Sequence, residues 1–319
     1  MRVSPMLEHL IRRLLSVAVT LFAASLVVFV VLEILPGDPA QVMAGYEASP
    51  ETVEVLRKLY GLDRPPVERY LDWIGGLLVG DFGISHAYHV PAANLIAERL
   101  PVTLPLAAMA LTIAITVALP LGMFAATHHN RRGDLTVMAA SQLGIAVPEF
   151  WFGILLVLLF SVTLGWFNAG GFPGWDEPLA ALQSLLLPAL ALGLSQASIL
   201  TRVMRSAALD TLREDYVRTA WAKGLTRRRI VWGHVFRNAL IPVTTIIGLQ
   251  MAFLIAGTIV IENIFFLPGL GQLMVGAIAN RDLIIIKDLV ILITAMVVAV
   301  NLAVDLLQAA IDPRPGHHG

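Results

Sequence analysis

Asp215-Tyr-Val-Arg-Thr-Ala-Trp-Ala-Lys-Gly224-Leu-Thr-Arg-Arg-Arg-Ile-Val-Trp-Gly-His-Val-Phe-Arg-Asn-Ala-Leu-Ile-Pro242 is a basic stretch lying between two long apolar runs. Apolar residues at Leu209, Leu212, Tyr216, Val217, Ala220 and Trp221 fall on one helical stripe. Gly224 supplies the positive φ that ends a helix, with Lys223 in its last turn. Thr226 is placed to cap a second helix, whose apolar side is Ile230, Val231, Val235, Phe236, Ala239 and Leu240. The stretch therefore predicts two short amphipathic helices broken at Gly224, a shape with little use in a membrane protein unless something docks on it.

The surrounding chain is membrane-like. It has 319 residues, 57% of them hydrophobic and only 14% charged, with a mean hydropathy of +0.77. Soluble domains carry about 25% charged residues. A membrane span needs roughly 20 apolar residues to cross about 30 Å of hydrocarbon. Six stretches qualify, at about 11–35, 101–127, 135–164, 182–204, 242–267 and 286–311. The first follows Arg12 and Arg13, but it exceeds a signal peptide's apolar length and no small-residue cleavage site follows, so an uncleaved anchor is expected. The fourth is interrupted by Pro188. With the N-terminus inside, the cytosolic segments hold Arg2, Arg12, Arg13, Arg131, Arg132, Arg314 and the series from Arg202 to Arg237. The other side holds Arg57, Lys58, Arg64, Arg69, Arg99, Arg281 and Lys287. That bias puts both termini in the cytosol.

The resulting organisation is a cytosolic N-terminus and first span over 1–35, an extracytoplasmic segment over 36–100, a five-helix core over 101–311 and a cytosolic tail over 312–319. The core contains the basic loop at about 205–240. The 36–100 segment is rich in acids, and short helices are expected at Pro50–Leu59, Val67–Leu78 and Pro91–Leu100. It is small and poor in core residues, and a cap packed on the bundle is expected over an independently folded domain. In the second span Ala110, Ala114, Ala118, Gly122 and Ala126 recur every fourth residue. This is the pattern of a close helix-packing seam, with pore lining as the other reading.

Enzymatic constellations are missing. The chain has no phosphate-binding Gly-x-x-x-x-Gly-Lys-[Ser/Thr] loop, so it is not expected to hydrolyse ATP itself. Without cysteine it has no disulfide or thiolate site, and the His128-His129 and His317-His318 pairs point apart rather than converging on a metal. No cofactor, catalytic residue or nucleic-acid partner is expected. Ionisable or amide groups within spans are gate or pathway candidates, because charge there is costly. They are Glu262 near the outer end of the fifth span, and Asn301 with Asp305 one turn apart in the sixth. Glu149 and Gln142 lie near the inner end of the third. Snorkelling or interhelical hydrogen bonding is the plainer account of these residues.

The basic loop resembles the EAA loop of ABC-transporter permeases. Arg218-Thr219-Ala220 stands where the general pattern has Glu-Ala-Ala, and Gly224 matches its glycine. The missing acid and the long interval from Gly224 to Pro242 are similar to the dipeptide, oligopeptide and nickel branch, in its B-type dipeptide permeases. Leu35-Pro-Gly-Asp-Pro-Ala40, Glu262-Asn-Ile-Phe-Phe-Leu-Pro-Gly-Leu-Gly271, Asn280-Arg-Asp282 and Asp312-Pro-Arg314 agree with that branch in the same order. The resemblance implies an all-α, six-span, type I-like importer permease with a small extracytoplasmic cap in a bacterial inner membrane. It implies a heterodimer with a second permease, two ATP-binding subunits, an extracytoplasmic solute-binding protein and contact with membrane lipid. It places Arg218, Thr219, Ala220, Lys223, Gly224 and Leu225 at the ATPase contact, with Pro242 setting the angle into the fifth span. Peptides lead as cargo, with nickel chelates, glutathione and small oligosaccharides as alternatives. The rival classes are a stand-alone secondary transporter, which would need an ion gradient and no ATPase, and a membrane-bound enzyme.

Overall fold

A computed structural model describes residues 5–34, 38–45 and 48–311. The side chain of Asp305 and the closing Asp312-Pro-Arg314 lie outside the described residues. The described chain is helical, in the order α1 (Pro5–Ile34), α2 (Pro39–Ala44), α3 (Pro50–Leu59), α4 (Pro66–Val79), α5 (Ala92–Thr127) and α6 (Arg132–Ala146). Then follow α7 (Glu149–Thr163), α8 (Pro178–Leu212), α9 (Asp215–Ala222), α10 (Arg227–Ile264), α11 (Leu270–Ala279) and α12 (Leu283–Ile311). Five helices are long and apolar enough to cross a membrane, and the bent pair α6–α7 makes up to six.

Local chemistry explains where these elements depart from the hydropathy pattern. The third span is broken, with α6 and α7 meeting at 100°. Pro148 lacks an N–H and disfavours helical geometry in the residue before it, so Val147 turns extended at ψ 121°. The helix expected at Pro91–Leu100 is instead the first part of the 36-residue α5, which begins after an isolated bridge between Ile84 and Pro91. The stripe expected from Leu209 to Trp221 is divided, because α8 runs on to Leu212 and carries Leu209 and Leu212 with it. The second amphipathic helix is not separate from the fifth span: α10 continues through Pro242, widening to π-type turns over Ile230–Val235.

The chain divides into two compact units. One comprises Met1–Thr103 and Pro268–Val298. Within it α4 packs on α1 through Phe29, Tyr70 and Trp73, whose ring centroids lie 5.3–6.4 Å apart. The hydroxyls of Ser25 and Tyr70 meet at 2.8 Å beside them. The start of α5 meets α11 and α12 around Ala92, Ile96, Leu270, Leu273 and Ile285. The loop before α5 is pinned by Asp282, whose carboxylate accepts from Ser85 Oγ, Ala87 N and Ile285 N. Each charge-assisted bond of this kind contributes about 1.5–3 kcal/mol, which offsets the burial of Asp282.

His86 in this loop is buried and leans on the Tyr60 ring at 4.6 Å. Burial lowers its pKa, with the charges of Lys287 and His89 acting in the same direction and Asp282 opposing them. The unfolded chain takes up the proton near pH ~6.5, where the folded imidazole remains neutral. Stability is therefore expected to fall as pH drops through ~6.5 and to level off below the folded value. Thermal unfolding at about pH 7.5 and about pH 5.5 should show a larger drop in midpoint for the wild type than for His86→Phe. Equal drops would show that this imidazole does not govern the acid sensitivity.

The other unit comprises Leu104–Leu267 and Ala299–Gly319. Its core joins α5, α8, α9 and α10 through Ala114, Ala118, Met123, Leu200, Met204, Val217, Ile230 and Val235. The small-residue stripe is a packing seam: Ala110, Ala114 and Ala118 are fully buried. At Gly122, a Cβ would stand 2.8 Å from the Thr201 carbonyl oxygen of α8. At Gly193 it would stand 2.7 Å from the Ala110 carbonyl oxygen, so glycine is required from both sides of the contact.

Candidate functional site: the Gly224 helical hairpin

The α9–α10 connection folds as its sequence dictates. Gly224 has φ +73°, a conformation that costs glycine nothing. The Gly224 N–H donates to the Trp221 carbonyl at 3.0 Å, and the Leu225 N–H donates to the Ala220 carbonyl at 3.3 Å. Those two bonds form a Schellman motif, which satisfies the last carbonyls of α9 and turns the chain. The apolar contact that accompanies such motifs is also present, since Leu225 packs against the cluster that contains Ala220. Thr226 sits at the expected N-cap position with extended backbone, but its hydroxyl makes no capping bond.

The hairpin has two distinct faces. Val217, Ala220, Ile230, Val231 and Val235 are buried in the chain's own core. The small side chain of Ala220 thus seats α9 against the protein. Tyr216, Arg218, Thr219, Trp221, Lys223, Gly224, Arg227, Arg228 and Arg229 are exposed. Arg218 reaches Asp215 at 3.4 Å with both side chains largely in solvent, a pair of small energetic weight. Pro242 is exposed within α10, well beyond the hairpin. The structure therefore gathers Arg218, Thr219, Lys223, Gly224 and Leu225 around one turn and leaves Pro242 outside it.

One hydrogen bond ties the hairpin to the end of α5, and an ion pair lies next to it. Arg227 Nη2 donates to the Thr127 carbonyl at 3.0 Å, capping the last turn of α5. Just beyond, Asp134 at the start of α6 takes both nitrogens of Arg205 in α8, Nε at 2.6 Å and Nη2 at 2.7 Å. Asp134 also accepts from the Asn130 N–H at 2.9 Å. Neither partner was singled out by sequence reasoning as part of a pair; they are 71 residues apart, and no local pattern links them.

The span residues are scattered. Glu262 is fully buried near the end of α10, and Asn301 is half-buried on α12. Glu149 follows the Val147–Pro148 break, where its Oε1 accepts from Gln196 Nε2 of α8 at 3.0 Å. Gln250 Nε2 of α10 in turn donates to the Gln196 carbonyl at 3.2 Å. Gly257 leaves the space: a Cβ there would lie 3.0 Å from Glu149 Oε2. Interhelical hydrogen bonding therefore accounts for Glu149. Gln142, two turns earlier, accepts from Arg202 at 3.3 Å in an exposed contact.

Comparison with known proteins gives the family. Residues 118–317 match the family described as binding-protein-dependent transport system inner membrane component, and residues 6–107 match its N-terminal companion. A permease protein of Brucella suis biovar 1 (strain 1330), named for a peptide transport system, is 43% identical over 306 residues, covering 96% of this chain and 98% of that one. The glutathione transport system permease protein GsiC of Escherichia coli (strain K12) is 40% identical over 308 residues, covering 97% and 98%. In fold, the chain is similar to the methionine ABC transporter MetNI in inward-facing conformations. There the TM-score is 0.58 at 16% identity, over 68% of this chain and 96% of that one. An amino acid ABC transporter gives a TM-score of 0.50 at 13% identity, over 68% and 94%. A family model spanning most of the chain, near-full-length relatives and a shared fold converge on one conclusion: this chain belongs to the binding-protein-dependent transport system inner membrane component family and is a permease subunit of an ABC importer.

Proposed function

We propose that the chain forms half of a translocation pathway for di- or oligopeptides in a bacterial inner membrane, with both termini cytosolic. A second, similar permease supplies the other half, two ATP-binding subunits hydrolyse ATP, and an extracytoplasmic solute-binding protein delivers the cargo. The observation that carries this reading is the Gly224-broken hairpin, whose inner face is locked into the permease core while its outer face is exposed. Near-full-length relatives named for peptide and glutathione transport support a small peptide-like cargo.

In this mechanism ATP binding closes the ATPase dimer against the hairpin, with Arg218, Lys223, Gly224 and Leu225 at or beside the contact. Ala220 holds α9 to the core, so movement of α9 carries the helices behind it as a rigid body. The pathway opens outward to take cargo from the binding protein, and hydrolysis resets it. The segment from Glu262 to Gly271 and the 36–100 region face the binding protein.

Affinity purification from native membranes in mild detergent, followed by mass spectrometry, tests the assembly. A P-loop ATPase, a second six-span permease and a binding protein are expected to co-purify. A chain that comes out alone and drives ion-coupled uptake in liposomes would instead be a secondary transporter.

A further inference from the structure

A second site lies away from the hairpin, inside the unit built from Met1–Thr103 and Pro268–Val298. It is a cavity of about 190 Å³ whose lining includes Phe29, Glu33, Tyr60, Arg69, His86 and Lys287. Three nitrogens on these walls have no hydrogen-bond partner among the described residues: Lys287 Nζ and Arg69 Nε are donors, and His86 Nδ1 is a donor in one tautomer of the imidazole. Lys287 Nζ lies over the rings of Trp73 at 4.9 Å and Phe29 at 5.8 Å, and no carboxylate among the described residues approaches it within 4.0 Å. His86 Nδ1 is buried without a partner, in a residue only 6% exposed. Arg69 Nε is buried and unpartnered, although another nitrogen of the same guanidinium pairs with Glu33. Buried polar groups in native proteins are nearly always satisfied, so the buried Arg69 Nε and His86 Nδ1, with Lys287 beside them, point to an acceptor from outside the chain.

Most of the neighbouring carboxylate oxygens are engaged, the exception being Asp288 Oδ2, which is buried without a partner. Glu33 is bound to Arg69, and Asp72 to Arg64. Asp282 is surrounded by three donors, and Asp288 holds Trp73 Nε1 at 2.8 Å; neither lines the cavity. The walls carry Arg64, Arg69 and Lys287 against Glu33 and Asp72, which leaves the positive charge of Lys287 unmatched there.

The level in the membrane also matters. The apolar part of α1 is 24 residues long, Ile11–Ile34, which at about 1.5 Å per residue slightly exceeds a ~30 Å hydrocarbon core. Glu33 at its end therefore falls near the headgroup layer, and Leu283 and Lys287 of α12 line the same cavity as Glu33. Phe29, Tyr60, Tyr70 and Trp73 supply the aromatic character typical of that layer.

We propose that this cavity binds an oxyanion, a phosphate or carboxylate that accepts from Lys287 Nζ, His86 Nδ1–H and Arg69 Nε–H, with a lipid headgroup phosphate as the natural source. The site stands whatever the cargo of the transporter. Thermal unfolding of the detergent-purified transporter, titrated separately with dihexanoyl phosphatidylglycerol and with inorganic phosphate, tests it. A ligand that binds only the folded state raises the midpoint saturably. The expected result is a saturable rise with the short-chain lipid, weakened at least tenfold in apparent affinity by Lys287→Met and retained by Lys287→Arg. A rise with inorganic phosphate as well would support the site and identify a soluble anion as an equal source. His86→Phe keeps the ring against Tyr60 while removing the donor, and provides the same test if Lys287→Met does not fold. No saturable rise with either probe, or one that both variants leave unchanged, would overturn the proposal.

Discussion

Replacing Gly224 with valine is expected to leave the chain in the membrane at its normal level and to abolish uptake by the complete transporter. Space is not the obstacle, because a Cβ at this position would meet nothing within 4 Å. The obstacle is φ +73°, a conformation that costs an ordinary L-residue about 1–2 kcal/mol and a β-branched one more. Set against a typical stability of about 5–15 kcal/mol, that penalty does not unfold the protein. It is relieved locally by rotating φ, which breaks the Leu225-to-Ala220 bond and swings α9 away from its seat beside Ile230. A contact that must transmit motion tolerates such a shift poorly. Asparagine enters the left-handed region more readily, so Gly224→Asn should retain most uptake. The checks are the membrane level of each variant and cargo uptake in proteoliposomes containing the whole assembly. Wild-type uptake by Gly224→Val would sink the proposed role of the turn.

The Gly224 turn was legible because everything that makes it is local: an amphipathic stripe, a glycine one residue past the helix, a second stripe. Hydropathy likewise located the spans, since lipid imposes length and apolarity on each of them separately. What it missed depends on geometry that composition averages away. A hydropathy window over 135–164 cannot register that Val147 turns extended before Pro148, although the proline was a usable signal. The apolar stripe at Leu209, Leu212 and Tyr216 has helical spacing even though a turn at Arg213–Glu214 divides it, because periodicity survives a short interruption. Ala220 illustrates a different limit. Its small size was evident, but whether that smallness served a partner or the chain's own core was decided by tertiary packing. The anion cavity and the Asp134–Arg205 pair were invisible for the same reason: their members come from helices far apart in sequence, and no residue among them belongs to a motif that announces the others.

Arg205→Met is expected to be among the most destabilising single changes, and more damaging than removal of its partner by Asp134→Leu. The asymmetry follows from exposure. The Asp134 side chain is 1% exposed and the Arg205 side chain 21%. Without Arg205 the carboxylate stays buried with the Asn130 N–H and the weaker His129 contact at 3.4 Å, and a buried charge deprived of its partner costs about 3–5 kcal/mol. Without Asp134 the guanidinium can turn towards water or headgroups on its long stem. The main loss is then the acceptor for the Asn130 N–H and the bidentate bond itself, about 1–3 kcal/mol. The double variant Arg205→Met/Asp134→Leu should be more stable than Arg205→Met alone, because it removes the stranded charge. Unfolding midpoints of the three purified variants would order them, and equal losses for the two single changes would show that burial of Asp134 is not the controlling factor. The consequence reaches function through position. Asp134 fixes the turn that follows Thr127, and the Thr127 carbonyl is the atom that Arg227 of the hairpin grips at 3.0 Å. Loosening that turn removes the surface against which α10 bears, so uptake per assembled complex should fall in Arg205→Met even at temperatures where the protein remains folded.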